Sequence, residues 1–472
     1  MRNAELAPLV IHHYRNRRQR WMDGAHSFKP DCLNSISKWV NRVRREVLAL
    51  FAGVVIVAAL FGSPAQVSAA DDAVLDLQAL INEALANNHD ILAAETKWKA
   101  GTYRIGQATS LPDPMVMVGY QNEGWNQYTY GEMQGAQWMY SLSQMFPFPG
   151  KRGLKGEMAS RDAESSEAMY RAQRLRTVAS VKELYYDLFL AYKNIDIIAG
   201  KSALFSRIED AAVARYSSGM ATQQEVLMAQ TEKYMLLEKE TMLRQKIRSL
   251  EAMLNAAVGR EANVLLGRPA EPAPTQFNHS MEELQEAAAR QSPEIFSRER
   301  MVDAAQARVG MAEKEFFPDV TVAASVFTRT GPFEDMWSVT ATFNIPLYFG
   351  AKQEAVAEAR SLSTGARHEL VAARVMVSSG VKDNYSMLTA TEKLMGLYKD
   401  GLIPKTYQDF ELALSGYASG KVEVITVINR LRTLLDFETL YWGQLVEREK
   451  AIARLEALTG MGERQGPGSS SQ

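Results

Sequence analysis

The sequence predicts a mainly α-helical fold with a small β part, built as two structural repeats. Each half of the chain contains two short stretches in which apolar and small polar residues alternate, a pattern typical of strands. In each half a proline–glycine segment follows the second stretch, and then a helical pattern of more than about 60 residues begins. Four landmarks recur after about 200 residues, as an internal duplication requires: Pro112 with Pro318, Pro147 with Pro346, Gly150 with Gly350, and Gly219 with Gly420.

The composition is that of a folded protein and gives no sign of nucleic-acid binding. The 472 residues include 53 Lys and Arg against 55 Asp and Glu, so there is no basic excess to neutralise phosphates. Hydrophobic residues make up 46 %, which is enough to form a core. The single cysteine, Cys32, excludes an intramolecular disulfide and a cysteine-based metal cluster.

Residues 1–70 are predicted to be an N-terminal extension with a secretory signal peptide. An unbroken apolar run at 47–61 follows several basic residues and precedes a small-residue segment that ends at Ala69. The run is shorter than the roughly 20 residues of a transmembrane helix, although an uncleaved inner-membrane anchor is the alternative. Met22 is an alternative start of the chain. Without this segment the chain is net acidic and lacks cysteine, which favours the periplasm or the outer membrane.

Repeat 1 is predicted at 74–268. A helical pattern at 75–110 ends at the L-P-D-P segment of 111–114, because proline cannot continue a helix. A β-hairpin follows at about 113–147. A long helical pattern then runs through 154–260 and is interrupted at a Y-S-S-G segment, which is a typical helix C-terminus. Two long antiparallel helices are therefore expected to meet at a tip near Gly219 and to pack side by side as in coiled coils.

The first hairpin has the charge pattern of strands that face lipid. No Lys or Arg occurs between Arg104 and Lys151. Lys151 and Arg152 follow the hairpin directly, and we predict that they anchor in lipid headgroups.

Repeat 2 is predicted at 278–460, after a proline-rich linker at 269–277. It comprises a helix at 281–314, a β-hairpin at about 318–346 and a long helix pair with a tip near Gly420. Residues 461–472 are predicted to be a disordered tail.

The four strands suit a membrane better than a soluble sheet. Each has about nine residues, which is close to the 9–11 residues that cross a bilayer at the tilt of a barrel strand. Four strands cannot close a barrel, and open strand edges cannot face lipid. Several chains would therefore have to contribute strands to one shared barrel. Three chains would give twelve strands. The alternative is an exported, soluble coiled-coil scaffold that carries a small sheet.

Three segments resemble one known family. They are L-P-D-P-M-V-M-V-G-Y at 111–120, Q-M-F-P-F-P-G-K-R at 144–152 and I-P-K-T-Y-Q-D-F-E-L-A-L-S-G-Y-A-S-G-K-V-E-V at 403–424. These resemble the TolC-type outer-membrane factors of tripartite efflux systems, in the branch that serves heavy-metal efflux.

The resemblance implies a homotrimer with a 12-stranded transmembrane β-barrel in outer-membrane lipid and a long periplasmic α-barrel. The partners would be a periplasmic adaptor protein and an RND-type pump in the inner membrane. The function would be a passive exit duct for heavy-metal ions, with multidrug efflux or type I protein secretion as the alternative.

The resemblance also implies roles for particular residues. The two tips would dock the adaptor through Tyr216, Ser217, Ser218, Gly219, Met220, Tyr417, Ala418, Ser419, Gly420 and Lys421. The joints between the β-barrel and the helical tube would lie at Pro147, Pro149, Gly150, Pro346 and Gly350.

The gate residues depart from the pattern of the family. Family members often carry two aspartates after the second tip glycine, and Thr426 and Asn429 stand at those positions here, followed by Arg430. Glu225 and Glu423 are the acidic residues nearest to the two tip glycines, and they are weaker gate candidates, because each also fits a solvated helix face.

No catalytic, cofactor or metal constellation is found in the sequence, so an enzyme is not expected. Gly150-Lys151 lacks the other residues of a phosphate-binding loop. His89, His279 and His368 are far apart, whereas a metal site needs clustered ligands. Most of the methionines lie at helix or strand spacing, which favours core packing over metal binding.

Overall fold

The computed structural model describes residues 74–462. The predicted signal segment with Cys32, and all but the start of the predicted tail, lie outside the described residues. Residues 74–462 form long helices and one four-stranded sheet, so the predicted mainly α fold with a small β part is confirmed. No helix in this range combines the length and the apolarity that a membrane crossing would need.

The two halves of the described chain contain the same elements in the same order, except that the long helix after the hairpin is divided in two in the second half. The first half contains α1 (Leu77–Asn87), α2 (His89–Thr109), β1 (Met115–Gln121), β2 (Gln137–Phe146), α3 (Lys151–Ser217) and α4 (Gln223–Val258). The second half contains α5 (Met281–Gln291), α6 (Pro293–Lys314), β3 (Val320–Thr328), β4 (Met336–Phe343), α7 (Phe349–Gly396), α8 (Ile403–Ala418) and α9 (Val424–Thr459).

Short polar residues and proline set the boundaries of the shorter helices. The Asn88 side chain accepts hydrogen bonds from the first backbone N–H groups of α2, so it separates α1 from α2. In the second half Ser292 has extended backbone geometry and Pro293 is the first residue of α6. The prediction of one helix over 281–314 is therefore wrong, because proline favours the first helical position and disfavours a helical residue before it.

The junction of α7 and α8 is a turn of π-helix at Leu397–Leu402. Pro404 lies in the first turn of α8 and has no backbone N–H to bond to the preceding turn. The wider π turn therefore accommodates the proline without ending the helical path.

The sheet joins the two halves. Its strand order is β1-β2-β3-β4, and every neighbouring pair is antiparallel. The central β2–β3 pair, which extends from Trp138 opposite Thr328 to Phe146 opposite Val320, connects the halves directly. Strands β1 and β4 are the two edges.

Helix α3 is the longest element and the main packing partner of the others. Its 67 residues span roughly 100 Å at 1.5 Å per residue. It contacts α2 and α6 over the part near the sheet, and α4 and α9 over the rest. Near the far end, a hydrophobic cluster shared by α3, α4, α8 and α9 includes Phe205, Ile208, Phe410 and Leu431.

Candidate functional site

The two predicted joints lie directly after β2 and β4. In joint 1 (residues 147–150), Gly150 has a left-handed backbone, with φ 93°, and is the N-cap of α3. In joint 2 (residues 346–350), Gly350 already lies within the first turn of α7. The two joints are therefore not equivalent in detail, and the role assigned to their prolines and glycines stays a prediction.

Joint 1 is fixed by an ion pair between the two halves of the chain. The Lys151 ammonium donates to Asp319 Oδ1 at 2.9 Å and to the Phe317 carbonyl at 3.2 Å. The Phe148 backbone N–H donates to the same Asp319 oxygen at 2.7 Å. Lys151 is only 3 % exposed. The prediction that it anchors in lipid headgroups is wrong, because Asp319 neutralises its charge inside the protein.

Hydrogen bonding keeps Asp319 ionised. Burial would raise the pKa of Asp319, but the hydrogen bonds from Lys151 and the Phe148 N–H outweigh it and hold the pKa below its usual value. Asp319 was missed as a site residue at the sequence level. The signal was there, since its F-F-P-D segment echoes the L-P-D-P segment before β1.

The sheet has two chemically different faces. The register places Tyr140, Val326 and Trp337 side by side on one face, and Ser141, Ser325 and Ser338 side by side on the other. The large side chains of the first, or apolar, face are Val116, Val118, Tyr120, Trp138, Tyr140, Leu142, Phe146, Val320, Val322, Val326, Trp337, Val339 and Phe343.

Most of these apolar side chains are exposed in the single chain. A contiguous apolar surface of this extent marks an interaction with lipid or with another protein. The opposite, or polar, face carries mainly small side chains and methionines, together with Phe327. The hydroxyls of Ser141 and Ser325 on this face are hydrogen-bonded at 2.8 Å.

The two predicted tips have the same backbone geometry. Gly219 and Gly420 have φ values of 73° and 78°, which glycine adopts without strain. In tip 1 the backbone N–H groups of Ser218 and Met220 donate to the carbonyls of Ala214 and Arg215. In tip 2 the N–H groups of Ser419 and Lys421 donate in the same way to the carbonyls of Ser415 and Gly416. Apart from Tyr417, the ten predicted docking residues are exposed.

The two tips are held together through Tyr417. Arg215 lies over the Tyr417 ring, 4.6 Å from its centroid, and donates to the Tyr417 carbonyl. The Tyr417 hydroxyl donates to Glu225 at 2.9 Å. Tyr417 is fully buried, whereas Tyr216, at the same place in the other tip, is 49 % exposed. Burial and the bond to Glu225 raise the pKa of Tyr417 to about 12, so the hydroxyl keeps its proton at neutral pH.

The gate candidates occupy different environments. Glu225 forms a capping box with Thr222 at the start of α4 and accepts a hydrogen bond from the Tyr417 hydroxyl. Both interactions use the Glu225 carboxylate. Glu423 is the exposed N-cap residue of α9. Their gate role stays a prediction.

The other gate candidates follow along α9. Thr426 is half-buried, and Asn429 is exposed. Arg430 pairs with Asp409 of α8 at 2.9 Å. One further contact was missed at the sequence level: Arg432 forms a two-pronged ion pair with Glu232 of α4. Their gate role likewise stays a prediction.

Within residues 74–462, no group of three or more His, Cys, Asp or Glu side chains is placed to hold a metal ion.

Two known proteins are similar to the chain in sequence. It is 22 % identical over 396 residues to the cobalt-zinc-cadmium resistance protein CzcC of Cupriavidus metallidurans, an alignment that covers 82 % of this chain and 90 % of that protein. It is 23 % identical over 378 residues to the probable outer membrane lipoprotein SilC of Salmonella typhimurium, covering 75 % and 79 %.

Solved outer-membrane proteins share the fold. A crystal structure of CusC superposes with a TM-score of 0.72 at 16 % identity, covering 84 % of this chain and 96 % of that chain. The outer membrane protein VceC of Vibrio cholerae superposes with a TM-score of 0.70 at 18 % identity, covering 81 % and 96 %.

A family model also matches both halves of the chain. It is the model described as outer membrane efflux protein, and it matches residues 80–260 and 284–461. These segments include both hairpins and both tips, and together they make up most of the chain. The chain belongs to the outer membrane efflux protein family.

Proposed function

We propose that three copies of the chain form the passive outer-membrane exit duct of a tripartite efflux system for heavy-metal cations. The observation that carries this proposal is the two-faced sheet with its open edges, β1 and β4. An exposed apolar face on one side and small polar side chains on the other fit lipid outside and water inside.

The aromatic side chains add to the argument for lipid. Tyr120, Trp138 and Trp337 lie at the loop end of the apolar face, and Phe146 and Phe343 lie at the opposite end. Membrane barrels carry aromatic girdles of this kind at the two interfaces of the bilayer.

The open edges require further copies of the chain. Backbone groups at a sheet edge cannot face lipid unpaired, so β4 of one copy must pair with β1 of the next until the ring closes. Two copies would give eight strands, a number at which side chains fill the interior, whereas three give twelve and leave a lumen.

The internal repeat gives the register of this seam. Met115 opposite Ser143 in the first half corresponds to Thr321 opposite Thr342 in the second half. Within the chain β2 pairs with β3, and Ser143 lies opposite Ala323. We take this pair as the template for the pair between chains, in which Thr342 corresponds to Ser143 and Met117 corresponds to Ala323. It places Thr342 opposite Met117 of the neighbouring copy.

A cysteine pair tests the seam. In a Cys32→Ser background, Thr342→Cys with Met117→Cys should form disulfides between copies, because directly opposite strand residues meet the required geometry. Oxidation should yield covalent trimers on a non-reducing gel. Thr342→Cys with Val118→Cys is the matched control, since residue 118 points to the opposite face. Equal cross-linking in both pairs, or a ladder that stops at dimers, would contradict the proposal.

The tips are proposed to meet the periplasmic adaptor. Helix α3 separates joint 1 from tip 1 by roughly 100 Å, so the tips lie far from the membrane strands. Exposed residues such as Ser217, Met220 and Lys421 are available there for a partner. The adaptor would connect the duct to an RND-type pump in the inner membrane, which supplies the energy. We place the gate among the α9 residues Glu423, Thr426, Asn429 and Arg430 near this end.

The cargo is inferred from the relatives in sequence. CzcC is named for cobalt-zinc-cadmium resistance, and CusC of Escherichia coli is named for cation efflux. The solved structures of CusC and VceC support the fold alone, at 16 % and 18 % identity. Deletion of the gene should reduce tolerance to at least one of cobalt, zinc, cadmium, copper and silver, and expression of the chain should restore it. Unchanged metal tolerance with raised dye sensitivity would favour multidrug efflux, and loss of an exported protein would favour type I secretion. A water-soluble monomer would overturn the duct itself.

A further inference from the structure

The methionines of the sheet are segregated on its polar face. Met115 and Met117 of β1, Met139 and Met145 of β2, and Met336 of β4 all lie on this face by the observed register. The apolar face is built instead from Val, Leu, Phe, Tyr and Trp. Among the four strands, Phe327 is the only other large apolar side chain on the polar face, so methionine is the preferred apolar residue there.

Four of the methionines form two pairs across the β1–β2 ladder. Met117 is diagonal to Met139, since their directly opposite partners are Ser141 and Gly119. Met115 is diagonal to Met145 in the same way. Diagonal neighbours lie about 7–8 Å apart at the backbone, within reach of long side chains. The Met139 side chain extends over β1, because its methyl group lies 3.4 Å from where a Cβ of the directly opposite residue, Gly119, would be.

The environment of these pairs is unusual for methionine. Met115 is 61 % exposed and Met117 is 50 % exposed. The residues that share their face are mainly Ser, Thr and Ala. In the proposed duct this face lines the water-filled lumen, where an apolar side chain loses the stabilisation that burial provides. Packing in a core therefore does not account for Met115 and Met117, and Met139 and Met145 are only half-buried.

A thioether offers a soft sulfur donor. Soft ligands of this kind select monovalent copper-type cations over harder divalent ions. The other common metal ligands are not grouped for binding within residues 74–462. A metal ion that passes along this face would meet pairs of methionine sulfur atoms.

We propose that the Met115–Met145 and Met117–Met139 pairs are two thioether sites for soft monovalent cations, Cu⁺ or Ag⁺, on the lumen side of the β-barrel. This inference rests on the proposed duct, because that duct places the polar face inside. The sites are open to water and use two protein ligands each, so they bind weakly enough to release the ion along the path.

Silver binding to the purified full-chain assembly in detergent tests the sites. Ag⁺ is supplied as the nitrate in chloride-free buffer, and bound silver per chain is measured by equilibrium dialysis. A variant with Met115, Met117, Met139 and Met145 changed to Leu should lose apparent affinity by at least about tenfold. A matched control changes four exposed helix methionines to Leu, at 169, 242, 253 and 376, and should bind silver as the wild type does. Co²⁺ should show no difference between the variants.

The two pair variants, M115L/M145L and M117L/M139L, make the smallest change in volume and should each remove one of the two ions. They decide the question if the fourfold variant does not assemble. Equal silver binding in all variants would overturn the thioether sites. The molecular mass of the assembly in detergent and outer-membrane fractionation of the same samples keep this result separate from the duct, because a chain that neither forms trimers nor enters the membrane overturns the duct whatever it binds.

Discussion

Replacing Val339 by arginine is expected to prevent stable insertion of the sheet into the outer membrane. Val339 lies on the apolar face, midway along the edge strand β4 and opposite Ala324, and is 63 % exposed in the single chain. An arginine that faces lipid near the bilayer midplane costs about 2–4 kcal/mol. This corresponds to a loss of roughly 30- to 700-fold in the insertion equilibrium per chain. The measurement is urea-dependent folding into lipid vesicles, together with the amount of chain in isolated outer membranes.

Thr340→Arg is the matched control, because residue 340 is adjacent in the same strand and points to the polar face. Arginine there would face the lumen and should insert nearly as the wild type does. A soluble sheet predicts something else: at so exposed a position both variants would fall within about ±0.5 kcal/mol of the wild type. Equal behaviour of the two variants would therefore contradict the membrane assignment of the apolar face.

Asp319→Ala is expected to destabilise joint 1 by about 3 kcal/mol. The substitution leaves the buried Lys151 without its main partner, and removal of one member of a buried pair costs about 3–5 kcal/mol. The lower end of that range applies, since Glu315 at 3.7 Å and the Phe317 carbonyl remain near the ammonium. The free energy of unfolding is measured by urea titration in detergent, followed by tryptophan fluorescence.

Two controls separate the ion pair from general effects of the substitution. Glu286→Ala removes an exposed pair with Arg290 and should cost about 0.5 kcal/mol or less. The double variant K151M/D319N removes both charges and keeps an acceptor for the Phe148 N–H, so it should recover most of the loss. If Asp319→Ala costs no more than Glu286→Ala, the proposed importance of the buried pair is wrong.

The same ion pair gives a pH dependence with a definite sign. The pKa of Asp319 is lower in the folded chain than in the unfolded chain, so its contribution is present above the unfolded pKa of about 4. The contribution is lost as the pH falls through the folded pKa. The stability difference between wild type and Asp319→Ala should therefore be constant above about pH 5 and shrink below pH 4.

The local elements follow from the sequence because they depend on near neighbours. The alternation at 138–146 specified which side chains share a face of β2, since the side-chain period of a strand is two. The Y-S-S-G and Y-A-S-G segments specified the two tips, because a glycine at the end of a helix adopts the left-handed geometry without strain. The break between α5 and α6 was missed, although Pro293 was its signal.

The partners of the charged residues did not follow from the sequence. Lys151 was interpreted as an exposed anchor, because its position after an apolar strand is typical of one. Its true partner, Asp319, is more than 160 residues away, and only the β2–β3 pairing brings them together. Glu225 was interpreted as a gate candidate because it is the acidic residue nearest to Gly219. Its contact with Tyr417 again joins segments that are far apart in the sequence.

The sequence by itself determined the mainly α fold, the two hairpins, the positions of the tips and the family resemblance. These properties are encoded by periodicity, by proline and glycine, and by segments of contiguous residues. Only the tertiary structure decided that Asp319 neutralises Lys151, that Tyr417 is buried while Tyr216 is exposed, and that four methionines lie at diagonal positions on one face of the sheet. The physical reason is that each of these depends on the register and packing of segments far apart in the chain, which local patterns leave open.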